Sequence, residues 1–347
     1  MKPAETLALP PLAADLERVE ARLSDAVSHS DRFLGEVASH LVAAGGKRIR
    51  PTLTLCAAYA ASSGDQPPPM VGSASSASSS DGRQSHPSPA AEDAVTGGAA
   101  VELVHLGSLY HDDVIDEAET RRGVPSVNAR WSNIVAILSG DFLLARASAL
   151  AASLGADVAG LLADTIGELC RGQVLELQHL YDVARTEEDY ASTIEGKTAA
   201  LFATACRIGG MVSDVDDPTL DALTRFGHHL GMCFQIVDDC LDLTATDETL
   251  GKPSGQDLVE GIYTLPVIYA LADSSELRDR LGVPLDAARV LEARQLATAN
   301  GAVPAALAVA TDHATKAGEA LAGADRLDTD VTAGLRRLVE GLVSRDR

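Results

Sequence analysis

Residues Glu102 to Gly123 read ELVHLGSLYHDDVIDEAETRRG, and the part that decides the fold is His111-Asp112-Asp113-Val114-Ile115-Asp116. Apolar residues recur at helical spacing from Ala91 to Ile115, so the three aspartates fall on one helix. On a helix, residues i and i+4 lie one above the other, which puts the Asp112 and Asp116 carboxylates on a common face. The same arrangement returns in Val237-Asp238-Asp239-Cys240-Leu241-Asp242, on an apolar pattern running from Leu220 to Leu243. Carboxylates so placed repel each other. Hard cations relieve that repulsion, and Mg²⁺ is commonly held by one or two carboxylates together with substrate phosphates. Two such turns describe a chain built to hold a metal-bound polyphosphate.

Outward from these turns, helical periodicity covers about Leu12 to Val42, Leu53 to Ala60, Ile134 to Leu154, Val158 to Leu180, Tyr190 to Ile208 and the C-terminal third. Aromatic residues make up only 3% of the chain, and no alternating run of β-branched residues reads as a strand. The fold class expected is all-α. Asn300-Gly301 follows a helical run, so it reads as a helix stop rather than a hairpin. From Ser62 to Gly98 the texture turns to serine, proline and glycine, with too little apolar surface to order itself. It is expected to be a disordered surface loop at about 62–98, inserted within a single domain spanning residues 1–347.

The formal charge of -22 argues against nucleic acid or an anionic membrane as partner, because both select basic surfaces. An anionic substrate would need local cations to reverse the field. The five cysteines, Cys56, Cys170, Cys206, Cys233 and Cys240, show no CxxC or metal-ligand spacing and read as reduced thiols in a cytosolic protein. The N-terminal stretch carries Glu5, Asp15, Glu17 and Arg18 and has no secretory character. The most apolar stretch, Ile134 to Leu154, is interrupted by Asp141 and Arg146 and is expected not to span a membrane. A soluble, cytoplasmic protein is expected.

Compact cationic turns punctuate this acidic chain. Gly45-Gly46-Lys47-Arg48-Ile49-Arg50-Pro51 and Arg121-Arg122-Gly123 combine glycine, which lets backbone approach a ligand, with guanidinium forks suited to phosphate oxygens. Gly196-Lys197-Thr198 is not a Walker loop, since the required earlier glycine is Ala191 and no strand precedes it. Lys197 and Thr198 still read as a pair opening a helical run, where an anion can bind. Lys252 lies in a further glycine-bearing loop. His111 reads as a hydrogen-bonding neighbour of the aspartates, since Mg²⁺ prefers oxygen.

In order and spacing, GGKRIRP, ELVHLGSLYHDDVIDEAETRRG, GKT and FQIVDDCLDLTATDETLGKPSGQDL resemble the trans-polyprenyl diphosphate synthase family over about Arg32 to Ala270. The resemblance implies the isoprenoid synthase fold, a helical bundle around a deep central cavity with the aspartate clusters facing across its mouth, and a homodimer. It implies that Asp112, Asp113, Asp116, Asp238, Asp239 and Asp242 bind three Mg²⁺ ions, with Arg121, Lys197 and Lys252 on the allylic diphosphate. Lys47, Arg50, His105 and Arg122 match positions that hold isopentenyl diphosphate, and Gln235, Thr198 and Gln173 match the reacting centre. The implied reaction ionises the allylic diphosphate, and the isopentenyl double bond attacks the resulting cation.

One departure is Glu260-Gly261-Ile262-Tyr263-Thr264-Leu265-Pro266, where many relatives have a lysine in place of Ile262. Product length is argued from Gly107 and Ser108, about one turn before Asp112, where a growing tail would pass and where neither side chain blocks it. A medium- to long-chain product is therefore expected. A class I terpene cyclase is the nearest alternative, but it has no need of a second diphosphate site. A non-catalytic subunit of a heteromeric synthase is another, and the survival of all six aspartates argues against it.

Overall fold

The computed structural model describes residues 6–62, 90–245, 254–324 and 326–344. Lys252 and most of the serine-rich segment, residues 63–89, lie outside them.

The chain begins with α1 (Leu12–Val27) and α2 (Arg32–Ala43). The sequence pattern ran through both as one helix. Asp31 divides them, because its side chain accepts a hydrogen bond from Leu34 N at 2.9 Å and starts a new helix. Next come α3 (Ile49–Ser62) and α4 (Glu92–Ile115). The hairpin β1 (Thr120–Arg121) and β2 (Val124–Pro125) pairs Thr120 with Pro125 and Arg121 with Val124. Then follow α5 (Val127–Arg130), α6 (Asn133–Ser153), α7 (Ala156–Gln178) and α8 (Glu187–Ile194), a π-helical turn (Glu195–Ala199), α9 (Ala200–Met211) and α10 (Asp217–Thr244). Beyond these lie α11 (Gln256–Glu260), α12 (Leu265–Asp273), α13 (Ser275–Arg280), α14 (Ala287–Ala299), α15 (Ala302–Ala322) and α16 (Thr329–Val343). Gly301, at φ 75, separates α14 from α15, as the Asn300-Gly301 stop required.

Two helices organise the rest. Along α4 the residues are buried on nearly every side, from Ala94 to Tyr110, which is the mark of a helix enclosed by others. It packs against α1, α3, α6 and α9, while α10 packs against α9 and α15. One apolar core runs through these helices from Leu7 to Leu342, and a smaller one joins Leu258, Tyr263, Leu277 and Ala293.

The expected loop boundary at Gly98 is too late. Residues Glu92 to Gly98 already belong to α4, and the glycines that suggested a loop are contact points. A Cβ on Gly97 would lie 2.6 Å from Ile208 Cγ2 of α9, so only a residue without one lets these helices close. By length and composition alone Asn133–Ser153 would pass as a membrane-crossing helix, with mean hydropathy 1.7 in its best window despite Asp141 and Arg146, but the core helix of a soluble protein passes the same test. About a third of that window, 33%, is buried. Arg146 is held within the bundle, its Nε donating to Ala26 O of α1 at 2.6 Å.

Candidate active site

The C-terminal turn of α4 lies within electrostatic reach of Glu176 on α7 and Lys197 in the π-helical turn. Lys197 was read as opening a helix, but Glu187 to Met211 is one continuous helical run, and Lys197 sits in its π-turn. Helix α7 forces this local widening by touching the run backbone to backbone: a Cβ on Gly172 would lie 2.2 Å from Lys197 N, and one on Gly196 would lie 2.7 Å from Glu168 O. Such π-bulges gather at functional sites because they turn a side chain out of helical register. Here the Lys197 ammonium donates to the Glu176 carboxylate, which also accepts from Gln173 Nε2 at 3.3 Å.

Asp112 and Asp116 feel Lys197 and Glu176 directly. Burial lifts the Asp112 carboxyl from its ordinary 3.8 to about 6, with Lys197 opposing the rise. Asp116 is likewise raised by burial. Burial would lower the Lys197 ammonium, but Glu176 and Asp112 outweigh it and hold its pKa above the usual value. Asp113 points elsewhere. Fully buried, it accepts from Arg121 Nε at 2.6 Å, and its Oδ2 is buried without a hydrogen-bond partner.

The second cluster divides in the same way. Asp238 is exposed. Asp239 is buried and accepts from the Tyr190 hydroxyl at 2.6 Å and from Gln235 Nε2 at 2.7 Å, while Gln235 Oε1 accepts from Thr198 Oγ1 at 2.7 Å. Burial lifts the Asp239 carboxyl to about 7, and Asp238 and Glu176 add to the rise. Asp242 anchors the segment before α11, its carbonyl accepting from Gly255 N at 2.8 Å and its Oδ2 from Asp257 N at 3.2 Å. Glu176 lies within electrostatic reach of Asp112, Asp116, Asp239 and Glu260, so residues of both clusters surround one carboxylate. Among the described residues no three acidic, histidine or cysteine side chains already converge closely enough to hold a metal ion alone. The donors are all oxygen, which suits a hard cation completed by phosphate ligands.

A cationic site adjoins this acidic one. The turn Gly45-Gly46-Lys47-Arg48 leaves Lys47 exposed and buries Arg48, which pairs with Glu20 and donates to Glu102 at 2.8 Å. Arg122 and Gly123 form the two-residue loop of the hairpin at φ 55 and 77, the left-handed pair that suits a tight antiparallel turn. That loop sends Arg122 onto the carbonyls of Leu41 and Gly45, so close to Gly46 that a Cβ there would lie 2.9 Å from the guanidinium carbon. Arg50 stacks over the Phe202 ring at 4.9 Å, and its Nε is buried with no hydrogen-bond partner. Burial, with Arg122 nearby, lowers the Arg50 guanidinium to about 10, and burial with Arg50 and Arg122 holds His105 well below its ordinary 6.5, and so neutral. A buried, unpartnered guanidinium N–H beside further cations suits an anion.

Behind Asp112, Ser108 lies one turn back on the same face of α4 and is partly buried. Gly107 instead faces α6, where a Cβ would lie 3.1 Å from Gly140 O and 3.2 Å from Leu144. His111 shares that side, its Nε2 3.2 Å from Ile137 O. Tyr110 is fully buried against α2, its hydroxyl donating to Val37 O at 2.8 Å.

Sequence reasoning missed Glu176, Tyr190, Arg185 and Glu260. Arg185 is buried, donates to Tyr263 O at 3.0 Å and Thr193 Oγ1 at 2.8 Å, and lies within reach of Glu176 and Asp239, close to where the absent lysine at Ile262 would act. Glu176 had one sequence signal, its position on the same helix face as Gly172, one turn before it.

The all-α bundle, with almost no strand among the described residues, is that of the isoprenoid synthase fold. A profile of the polyprenyl synthetase family matches residues 31–295, and the chain belongs to that family. It is 37% identical over 339 residues to a nonaprenyl diphosphate synthase of Mycobacterium tuberculosis, covering 96% of this chain and 92% of that protein. It is 42% identical to heptaprenyl diphosphate synthase component 2 of Geobacillus stearothermophilus, over 76% of this chain and 74% of that one. Among solved structures, a polyprenyl synthase of Caulobacter crescentus, complexed with calcium and isoprenyl diphosphate, superposes with a TM-score of 0.85 at 33% identity, covering 99% and 98% of the two chains. The chain is a chain-elongating prenyltransferase.

Proposed function

We propose that this enzyme condenses isopentenyl diphosphate with an allylic diphosphate, releasing pyrophosphate and a medium- to long-chain all-trans polyprenyl diphosphate. The observation that carries this reading is the pair of adjoining sites of opposite character. One is acidic around Asp112, Asp116, Asp238 and Lys197; the other is cationic around Arg50, Arg122, His105 and Lys47. A terpene cyclase would need only the first.

In this reading Asp112, Asp116 and Asp238 hold Mg²⁺, three ions in all, while Asp113, Asp239 and Asp242 act through Arg121, through Tyr190 and Gln235, and through the segment before α11. Mg²⁺ so bound would supply positive charge to the departing pyrophosphate. Lys197, Arg121 and Lys252 add to that charge, although Lys252 lies outside the described residues. Arg50, Arg122 and Lys47 hold isopentenyl diphosphate, and neutral His105 can donate one hydrogen bond there. Thr198, Gln235 and Gln173 border the carbon that becomes cationic, where oxygen dipoles stabilise it. The apolar interior behind Ser108 excludes water, which would quench the cation.

The described helices form one domain in this proposal, and the active species is a cytoplasmic homodimer. Ile134, Ile137 and Leu138 on α6 and Val174 and Leu177 on α7 are exposed apolar side chains on helices that pack together, a surface that a second copy would cover. A heteromeric assembly is the second reading, favoured by the name component 2 of one relative. Incubating the purified chain alone with Mg²⁺, labelled isopentenyl diphosphate and allylic primers of several lengths, then separating the dephosphorylated products, tests both readings. Elongated products from the chain alone support the first. Activity that appears only when a second polypeptide is added supports the other, and no product in either case refutes the proposal.

A further inference from the structure

Lys197 is the cation closest to the first aspartate cluster that also faces Glu176, and it is already engaged. Glu176 is 8% exposed, and its carboxylate takes both the Lys197 ammonium and the Gln173 amide. It also faces Asp112 and Asp116 on α4, Asp239 on α10 and Glu260 on α11, so it belongs to neither cluster and is sensed by both. The Gly172–Gly196 contact fixes the backbone of both partners, leaving the flexible lysine stem as the part able to move.

We propose that Glu176 is a positioning residue that withholds Lys197 from diphosphate until divalent cations occupy the aspartate clusters, which couples diphosphate uptake at the aspartate site to metal. The inference rests on the prenyltransferase reading above. A bare diphosphate would enter a space lined by Asp112, Asp116, Asp239, Glu176 and Glu260 and would compete with a fixed carboxylate for Lys197. In a partly buried site like charges are screened far less than in water, so this repulsion is large. With cations on the aspartates the sign of the field reverses. A polyanionic phosphate then becomes the stronger partner, and Lys197 can swing to it without backbone motion. Glu176, left behind, faces a cation-rich site that stabilises its charge.

Calorimetric titration with inorganic pyrophosphate, once in EDTA and once in Mg²⁺, reads this coupling when excess isopentenyl diphosphate and no allylic primer are present, so that the adjoining cationic site is already filled. Wild type should bind pyrophosphate with Mg²⁺ and far more weakly without it. Glu176→Gln should bind metal-free pyrophosphate about tenfold tighter than wild type, a typical coupling between sites, and should need several times more Mg²⁺ for half-maximal activity. Lys197→Met should leave the metal-free affinity as in wild type and weaken only the Mg²⁺-dependent one, and this arm decides the matter if Glu176→Gln fails to fold. Unchanged metal-free affinity in Glu176→Gln, or equal weakening of both affinities in Lys197→Met, overturns the inference while leaving the function intact. Failure of wild type to bind pyrophosphate even with Mg²⁺ overturns both.

Discussion

Gly172 and Gly196 touch through their backbones, a Cβ on Gly196 falling 3.0 Å from Gly172 Cα, and this contact sets Lys197 over Glu176. Neither position tolerates a side chain, because the obstructing atoms are main chain and cannot rotate away. Gly172→Ala is expected to destabilise the fold by about 2–3 kcal/mol, as overpacking does, and to lower kcat more than it changes secondary structure. A thermal melt and a rate measurement on the same sample check this; wild-type stability and rate would show that the two helices need not touch.

The aspartates of each cluster should separate by role. Asp112→Ala and Asp238→Ala should nearly abolish condensation while the helical circular dichroism stays that of wild type and the melting temperature does not fall. Asp113→Ala removes the buried partner of Arg121 and should lower stability, but by less than breaking a fully buried pair, because Arg121 is partly exposed and burial already raises the Asp113 carboxyl against the pull of Arg121. Equal melting temperatures for Asp112→Ala and Asp113→Ala would contradict this division.

Product length should respond to Ser108 rather than to Gly107. Ser108→Phe places a ring one turn behind Asp112 on the face toward the site, and the product spectrum should shift to shorter chains. Gly107→Phe would collide with Gly140 O and Leu144, and should lower stability by separating α4 from α6. Chromatography of the products of the soluble variants decides; unchanged length with Ser108→Phe would place the tail on another wall.

In the metal-free protein, Asp112 and Asp239 should oppose folding increasingly as the pH rises from 5 to 8. Burial raises Asp112 to about 6 and Asp239 to about 7, against about 3.8 in the unfolded chain. The folded state therefore holds these protons more tightly. Their stabilising contribution is complete below about pH 4 and is lost as the pH climbs through 6 and 7. Asp112→Asn should flatten that slope in a melting series taken without metal, and a slope identical to wild type would rule Asp112 out as a source.

Association is expected to depend on α6. For the homodimer proposed above, replacing Ile134, 71% exposed, and Leu138, 61% exposed, by glutamate should leave a monomer on size exclusion with helical content unchanged. A dimer peak that survives the double substitution would move the interface elsewhere.

The helices were legible because long apolar patterns need only local periodicity, and even the Asn300-Gly301 stop could be read from its chemistry. Breaks between helices were less so: Asp31 dividing α1 from α2 is a single capping bond inside a continuous apolar pattern. The glycines misled at Gly97 and Gly98, where composition suggests a loop but close helix contact is the reason for them. Arg185 and Tyr190 gave no signal at all, because each matters through a partner distant in the chain.

Within the site, the sequence alone determined that six carboxylates and a set of cations are present, and which helices carry them, since both follow from residue type and spacing. It paired Asp112 with Asp116 and Asp238 with Asp242 by helix face, yet the resemblance gave all six the same role. Only the tertiary structure separated them, turning Asp113 to Arg121, Asp239 to Tyr190 and Gln235, and Asp242 to the segment before α11, while Asp112 and Asp116 face Lys197. The reason is that hydrogen bonding and burial depend on what packs against each side chain, and for these residues the partners lie on other helices, beyond the reach of any local pattern.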